Sequence, residues 1–176
     1  MNLDGLGLPR SRLPAGALFP PAHNALFDLG APGGEWIDAH ARRAREAMDA
    51  VPEAPVATHT DVSAANVVVS SGRVAAIYDV DSVAVIDEWR CLASVAVHFT
   101  YRGDPPWSWP SLDESRAFVA TYLRARGRSP NRAEAARLDA AARYAMAYTA
   151  RCERSLGHEA GMAERLRAAP ERVLSA

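Results

Sequence analysis

An acidic and amide cluster in the middle of the chain has a spacing that suits phosphoryl transfer. Asn66 follows Asp61 by five residues, and Asp79 comes after a segment typical of a β-hairpin. Transfer of the γ-phosphoryl group of ATP to a hydroxyl needs a carboxylate that accepts the hydroxyl proton and oxygen ligands that hold Mg²⁺. The spacing predicts Asp61 as the catalytic base, and Asn66 and Asp79 as Mg²⁺ ligands that meet where the hairpin closes.

Other interpretations of these side chains stay open at this point. Asp and Asn are common at turns and strand ends because their side chains bond nearby backbone, so the spacing can also arise by coincidence. His59 is interpreted as a hydrogen-bonded structural residue, since no second His or Cys stands at a spacing that would complete a metal site. Asp81 either faces the phosphates or caps the loop.

The surrounding elements are predicted to be mostly helical. Valine-rich runs on either side of Ser70–Arg73 predict the hairpin that positions the site. Residues 1–34 contain five prolines and six glycines, a density typical of an irregular lead-in. The expected fold class is therefore α+β, mainly α-helical.

Five helices are expected around the hairpin. They span Glu35–Ala50, Trp89 to about Thr100, a segment opened by a capping box at Ser111–Glu114, a long helix from Asn131 to a stop at Gly157, and Glu159 to about Ala169. Three of them have predicted apolar faces, formed by Ile37, Ala41, Ala44 and Met48; by Phe118, Val119, Tyr122 and Leu123; and by Leu138, Ala142, Ala145, Thr149, Cys152 and Leu156.

Composition narrows the class of protein. A chain of 176 residues with 49% apolar and 23% charged residues is typical of a single globular domain. The net charge of −1 gives no reason to expect nucleic-acid or membrane binding, and no apolar run approaches the roughly 20 residues of a membrane helix. Without a signal-peptide pattern, a cytoplasmic location is expected, with Cys91 and Cys152 reduced and mostly buried in different helices.

Two central segments resemble the aminoglycoside phosphotransferase (choline-kinase-like) family, which comprises small-molecule kinases with a protein-kinase-like fold. The resemblance is carried by His59–Asn66 and Ile77–Asp81, and extends to Leu26–Asp28, Glu35–Asp38 and Ala147–Glu153. It implies Asp61 as catalytic base, Asn66 and Asp79 as ligands of Mg²⁺ and hence of ATP, and His59 as a brace of the catalytic loop. It also implies a small-molecule hydroxyl as acceptor, with antibiotic resistance as an associated role.

The chain departs from that family in two respects. Cys91 stands where the family often has an Asp that steadies the catalytic loop. The family also has an amino-terminal β-lobe with a phosphate-binding Lys, whereas all 20 basic residues here are Arg. The resemblance therefore covers the carboxy-terminal lobe only, with residues 35–176 as that lobe, residues 1–34 as a remnant of the inter-lobe region, and weak or no activity expected from this chain alone.

Several alternatives follow from the missing lobe. The chain is either a non-catalytic kinase-like binding or regulatory module, or a fragment of a longer kinase. The surface left uncovered is expected to be apolar and to bind a second copy or a partner chain.

Acceptor binding leaves further interpretations open. Trp107 and Trp109 either stack on a substrate or pin their loop to the core. Five carboxylates form either an acidic wall that attracts an aminoglycoside or scattered surface charges: Asp87, Glu88, Asp104, Asp113 and Glu114.

Overall fold

The computed structural model describes residues 3–102, 107–158 and 161–175. Its helices are α1 (Glu35–Asp49), α2 (Glu88–His98), α3 (Leu112–Arg126), α4 (Arg132–Ser155) and α5 (Met162–Ala168). Its strands are β1 (Pro55–His59), β2 (Val67–Ser70), β3 (Arg73–Ile77) and β4 (Val83–Asp87). The fold is α+β and mainly helical, as predicted. Within these ranges no helix is long and apolar enough to cross a bilayer.

Local sequence signals place the ends of the helices. The predicted capping box opens α3, where the Ser111 hydroxyl accepts the Glu114 N–H at 3.2 Å and the Glu114 carboxylate accepts the Ser111 N–H at 2.7 Å. Asn131 and Glu134 form the same arrangement at the start of α4. Gly157 follows the end of α4 with a φ of 79°, the left-handed conformation in which glycine commonly ends a helix.

Helix α4 is the centre of the core and packs against α1, α2 and α5. The predicted face of α1 is buried in full. The buried face of α4 is wider than the predicted apolar stripe. A central helix contacts neighbours on several sides, and α4 also buries Arg137, Asp139 and Met146. Leu156 at its end is 37% exposed, contrary to the prediction. On α3, Val119 is buried as predicted, whereas Phe118, Tyr122 and Leu123 are only half-buried.

Two small antiparallel sheets are nested in the chain. β2 and β3 form the predicted hairpin, with Ser71 and Gly72 at positive φ in its two-residue turn. The sheet outside it joins β1 to β4, so that His59 lies opposite Val83. Neither β1 nor β4 was among the predicted elements, because each is short and is stabilised by a partner distant in sequence. This outer pair closes the chain around the hairpin and fixes both ends of the predicted catalytic segment.

The lead-in lies against the helical body as a series of turns and bends with one short 3-10 helix, Asp4–Leu6. Ser11 donates its N–H to the Val85 carbonyl at 2.8 Å, beside a parallel bridge between Arg10 and Val85. Further along, Arg45 donates to the carbonyls of Pro14 and Ala17. Arg90 and Arg151 bind other lead-in carbonyls, those of Ser11, Leu29 and Ala31. Arginine side chains thus take the place of a regular sheet or helix in satisfying this backbone.

The predicted acidic residues do not form a wall. Asp87 and Glu88 are each 2% exposed, which contradicts both the acidic-wall and the surface-charge interpretation for these two. Asp87 accepts hydrogen bonds from Arg137 and from the N–H of Arg90 at the start of α2, and Glu88 pairs with Arg126 and Arg128. Asp113 is exposed and Glu114 serves the α3 cap. Asp104 lies outside the described residues, as does Glu159, the predicted start of the last helix.

Candidate functional site

The ends of all four strands meet around the segment from Thr60 to Asn66. The Thr60 N–H and hydroxyl both donate to the Ser82 carbonyl, at 3.1 and 2.8 Å, which joins the end of β1 to the start of β4. The Asn66 carbonyl accepts the Tyr78 N–H at 2.8 Å, which closes the open end of the hairpin. The backbone therefore brings the three predicted site residues to one end of the two sheets.

Asp61 and Asn66 are in direct contact. The Asn66 Nδ2 atom donates to the Asp61 carbonyl at 2.9 Å and to the Asp61 carboxylate Oδ2 at 3.1 Å. Because a carboxylate can only accept, these bonds orient the amide with its Oδ1 atom directed elsewhere. In the part of the chain that is described, that oxygen accepts no hydrogen bond and is available to a cation.

The His59 side chain forms hydrogen bonds with this loop and with the segment that follows β3. Its Nδ1 atom accepts the Asp61 N–H at 3.2 Å, and its Nε2 atom bonds the Tyr78 carbonyl at 2.8 Å. An Nδ1 that accepts and an Nε2 that donates define the neutral imidazole with its hydrogen on Nε2. The ring links the loop to the end of β3, which is the structural role expected for it.

Cys91 lies beneath the same loop. Its Sγ atom is 3.7 Å from the His59 carbonyl, to which the thiol donates a weak hydrogen bond. Burial raises the pKa of the Cys91 thiol to about 11, so this side chain is an uncharged support rather than a nucleophile.

Asp79 lies two residues beyond β3 in a left-handed backbone conformation, with a φ of 59°. Its pKa is lowered, mainly by a hydrogen bond with Asp81 and next by the Ser82 hydroxyl, which donates to Oδ2 at 3.0 Å. Asp81 therefore lies beside Asp79 rather than apart from the site.

These oxygens suit Mg²⁺ in type. Carboxylate and amide oxygens are hard ligands, and Mg²⁺ on a nucleotide typically uses one or two carboxylates together with phosphate oxygens. Among the described residues no group of three or more His, Cys, Asp or Glu side chains is placed to hold a metal. The candidate set contains only two carboxylates, Asp79 and Asp81, together with the Asn66 amide. It therefore needs further ligands from the phosphates. No hydrogen bond between described residues joins the Asn66 and Asp79 side chains directly.

A pocket of about 360 Å³ opens beside Asp61. Asp61 lies in its wall with Thr60, Val62 and Ser63 from the same loop, and α2 and α4 supply much of the remainder. Sequence reasoning missed most of this wall, namely His23, Phe27, Ser94, Val95, His98, Tyr101, Tyr148, Thr149, Cys152 and Glu153. The resemblance had drawn attention to Ala147–Glu153 but gave no reason to place it beside Asp61.

The floor of the pocket contains two groups whose pKa values are displaced by burial. The pKa of His98 falls to about 4, because burial disfavours its charged form. Its Nδ1 donates to the Ser94 carbonyl and its Nε2 accepts from the Thr149 hydroxyl. Burial also raises the pKa of Glu153.

The tryptophans pin their loop to the rest of the chain, as one of the two interpretations holds, while stacking on a substrate stays a prediction. The Trp109 Nε1 atom donates to the Glu153 carboxylate at 2.8 Å, and its ring stacks on Tyr101. Trp107 packs edge-on against His158. Both rings anchor the loop and also line the pocket, so a ligand there would contact them.

Compared with known protein families, with curated proteins and with solved structures, the chain shows no significant match in any of the three.

Proposed function

We propose that this chain is the catalytic lobe of a Mg²⁺- and ATP-dependent kinase that phosphorylates a hydroxyl of a small molecule. The observation that carries the proposal is the position of Asp61. Asp61 lies in the wall of the pocket, and its carboxylate accepts a hydrogen bond from the Asn66 amide. A group at that boundary can contact an acceptor on one side and face the transferred phosphoryl group on the other.

The proposed roles follow from the contacts of each residue. Asp61 orients the acceptor hydroxyl and takes its proton through the carboxylate oxygen that Asn66 does not bind. Asn66 Oδ1, Asp79 and Asp81 would hold the Mg²⁺, whose charge offsets that of the phosphates. His59 keeps the Asp61 N–H and the end of β3 in fixed relation. Weak turnover is proposed for this chain alone, since a poorly covered site excludes little water.

A second candidate function rests on the exposed hairpin. On its strands Val69 and Val74 are 62% and 61% exposed, and just beyond β3 Tyr78 and Val80 are 58% and 68% exposed. An isolated two-stranded hairpin is marginally stable in water, and apolar residues on it favour contact with another chain. A partner-binding module, either homodimeric or joined to a separate covering chain, is therefore the alternative to an independent enzyme.

The test combines nucleotide binding with turnover. We expect ATP at ten times its dissociation constant to stabilise the chain by about 1.4 kcal/mol in the presence of Mg²⁺, measured by thermal unfolding. Asp79→Asn should abolish the Mg²⁺-dependent part of this stabilisation, since asparagine tolerates the left-handed backbone but lacks the charge. Asp61→Asn should keep the metal-dependent binding and lose any phosphoryl transfer.

The matched control is Asp113→Asn, because Asp113 is a highly exposed carboxylate on α3. It should behave as the unmodified chain does. An equal Mg²⁺-dependent shift in Asp79→Asn and the unmodified chain would contradict the proposed metal site. A dimer that shows no nucleotide response would favour the binding module.

A further inference from the structure

The wall of the pocket beside Asp61 is dominated by rings. Of the 16 lining residues that the structure describes, seven carry an aromatic or imidazole ring. Tyr101 and Trp109 are stacked, with ring centroids 5.5 Å apart and planes 9° apart. On the lead-in, His23 and Phe27 pack edge-on at 4.9 Å. The pocket therefore presents several ring surfaces to a flat or apolar ligand.

Tyr148 adds a further ring to the group on the lead-in. Its hydroxyl is 2.9 Å from His23 Nδ1, and its ring centroid lies 5.9 Å from that of His23. The contact joins the lead-in to α4 across 125 residues of sequence. The ring surface on this side is thus held by hydrogen bonding and not only by packing.

Charged side chains are scarce in the same wall. Although the chain has 20 arginines, none lines the pocket, and Asp61 and Glu153 are the only carboxylates among the lining residues that the structure describes. The Glu153 oxygens already accept from Trp109 Nε1 and from the Met162 N–H, each at 2.8 Å. His98 has both ring nitrogens occupied and supplies no cation.

These features restrict the charge of a ligand. A polycation would bring several ammonium groups into a pocket with few carboxylates, and each unpaired buried charge opposes binding. Among the described residues of the wall, an anionic ligand would meet carboxylates and no cation. The two Glu153 oxygens offer about four acceptor sites and keep capacity for a single ammonium group, which can also contact the faces of the rings.

We propose that the acceptor is a compact, ring-bearing alcohol with a single cationic group, rather than a polycation such as an aminoglycoside. The volume of about 360 Å³ lies near the lower end of the range of small-molecule pockets, which supports a compact ligand. The identity of the molecule as an acceptor rests on the proposed function. Its recognition by the pocket does not, and can be measured without ATP.

The test uses four probes of graded charge. They are 2-amino-1-phenylethanol, its neutral isostere 1-phenylethanol, its anionic isostere mandelate, and the polycation kanamycin. Binding is followed by tryptophan fluorescence, because Trp107 and Trp109 lie in the wall, and is confirmed by calorimetry at 150 mM salt. We expect the amino alcohol to bind about tenfold more tightly than each of the other three, as one favourable charge contact allows.

Variants show whether this preference arises in the pocket. Glu153→Gln should remove most of the preference for the amino alcohol over 1-phenylethanol, while Asp113→Asn outside the pocket should leave it unchanged. Because Glu153 also accepts the Met162 N–H, the fold of the first variant is checked by circular dichroism. Tyr148→Leu provides an independent test and should weaken binding of both ring compounds.

The outcomes separate the two proposals. Tighter binding of kanamycin or mandelate than of the amino alcohol would overturn the acceptor class, whether or not the chain is active. An unchanged preference in Glu153→Gln together with unchanged binding of both ring compounds in Tyr148→Leu would also overturn it, since the ligand would then bind elsewhere. The expected order of binding without any Mg²⁺-dependent response to ATP would support the pocket's selectivity while counting against the kinase.

Discussion

The Asn66 side chain donates to both the backbone carbonyl and the carboxylate of Asp61, at 2.9 and 3.1 Å. The residue proposed to hold a metal therefore also positions the residue proposed to take the proton. This pair makes the loop a single unit, in which a change at one residue displaces the other.

Removing the Asn66 amide is the direct test of that unit. We expect Asn66→Ala to lower the free energy of unfolding by about 1–2 kcal/mol, since two hydrogen bonds are lost from a half-buried group. The Mg²⁺-dependent response to ATP should decrease as well. Urea unfolding and thermal shift measure the two effects. Asn24→Ala, which removes one exposed bond to the Leu26 N–H, should cost less and leave the metal response intact.

Arg137 is expected to contribute strongly to stability. Its Nε atom donates to the buried Asp87 carboxylate at 2.9 Å, and its Nη1 atom donates to the carbonyls of Met48 and Val51. Arg137→Met leaves the Asp87 charge without its main partner and should lower the free energy of unfolding by about 3–5 kcal/mol. Arg124→Met, at an exposed position of α3, should change it by less than about 0.5 kcal/mol. Similar effects of the two changes in urea unfolding would contradict this role.

His98 should make stability depend on pH. Burial lowers its pKa from the ordinary 6.5 to about 4 in the folded chain. Between these two values the unfolded chain binds a proton that the folded chain does not, so the free energy of unfolding should fall as the pH falls through this window. Above pH 7 the group is neutral in both states and contributes no slope.

His98→Asn separates the pH dependence of stability that is due to His98 from the pH dependence that is due to the carboxylates. The variant should lose less stability than the unmodified chain between pH 6.5 and pH 4, with a constant difference between the two above pH 7. Urea midpoints measured at half-unit steps across the range provide the comparison. Parallel curves throughout would show that His98 is not the cause.

Both thiols should be slow to react in the folded chain. Burial raises the pKa values of Cys91 and Cys152 to about 11 each, from an ordinary 9. The thiolate fraction at pH 8 is then about 100-fold lower than in the unfolded chain, because each pKa unit is a factor of ten. Reaction with an aromatic disulfide reagent should accelerate by at least that factor in urea. Cys91→Ser and Cys152→Ser distinguish the two, and a fast-reacting folded thiol would contradict the prediction.

Local chemistry made several parts of the structure predictable. The capping boxes at Ser111 and Asn131, the stop at Gly157 and the Ser71–Gly72 turn each depend on residues close together in the sequence. The contact of Asp61 with Asn66 belongs to the same class, since a five-residue loop forms it.

Long-range pairing was not predictable in the same way. The backbones of β1 and β4 pair with each other across the hairpin, and neither strand has a strong sequence pattern of its own. The burial of Asp87 depends on Arg137, which is 50 residues away. The pocket likewise combines His23 with Tyr148, two residues that no local pattern connects.

The way in which the lead-in is held has a consequence for its tolerance of change. Arg45, Arg90 and Arg151 bind its carbonyl oxygens, which every amino acid possesses. Substitutions at the contacted positions should therefore be accepted freely, whereas replacement of one guanidinium by lysine would forfeit the paired donors that bridge neighbouring carbonyls. Sequence change is therefore expected to be larger at these contacted positions than at the three arginines. It should also be small at Leu13, Leu18 and Phe19, which pack on the core, and at His23 and Phe27, which line the pocket.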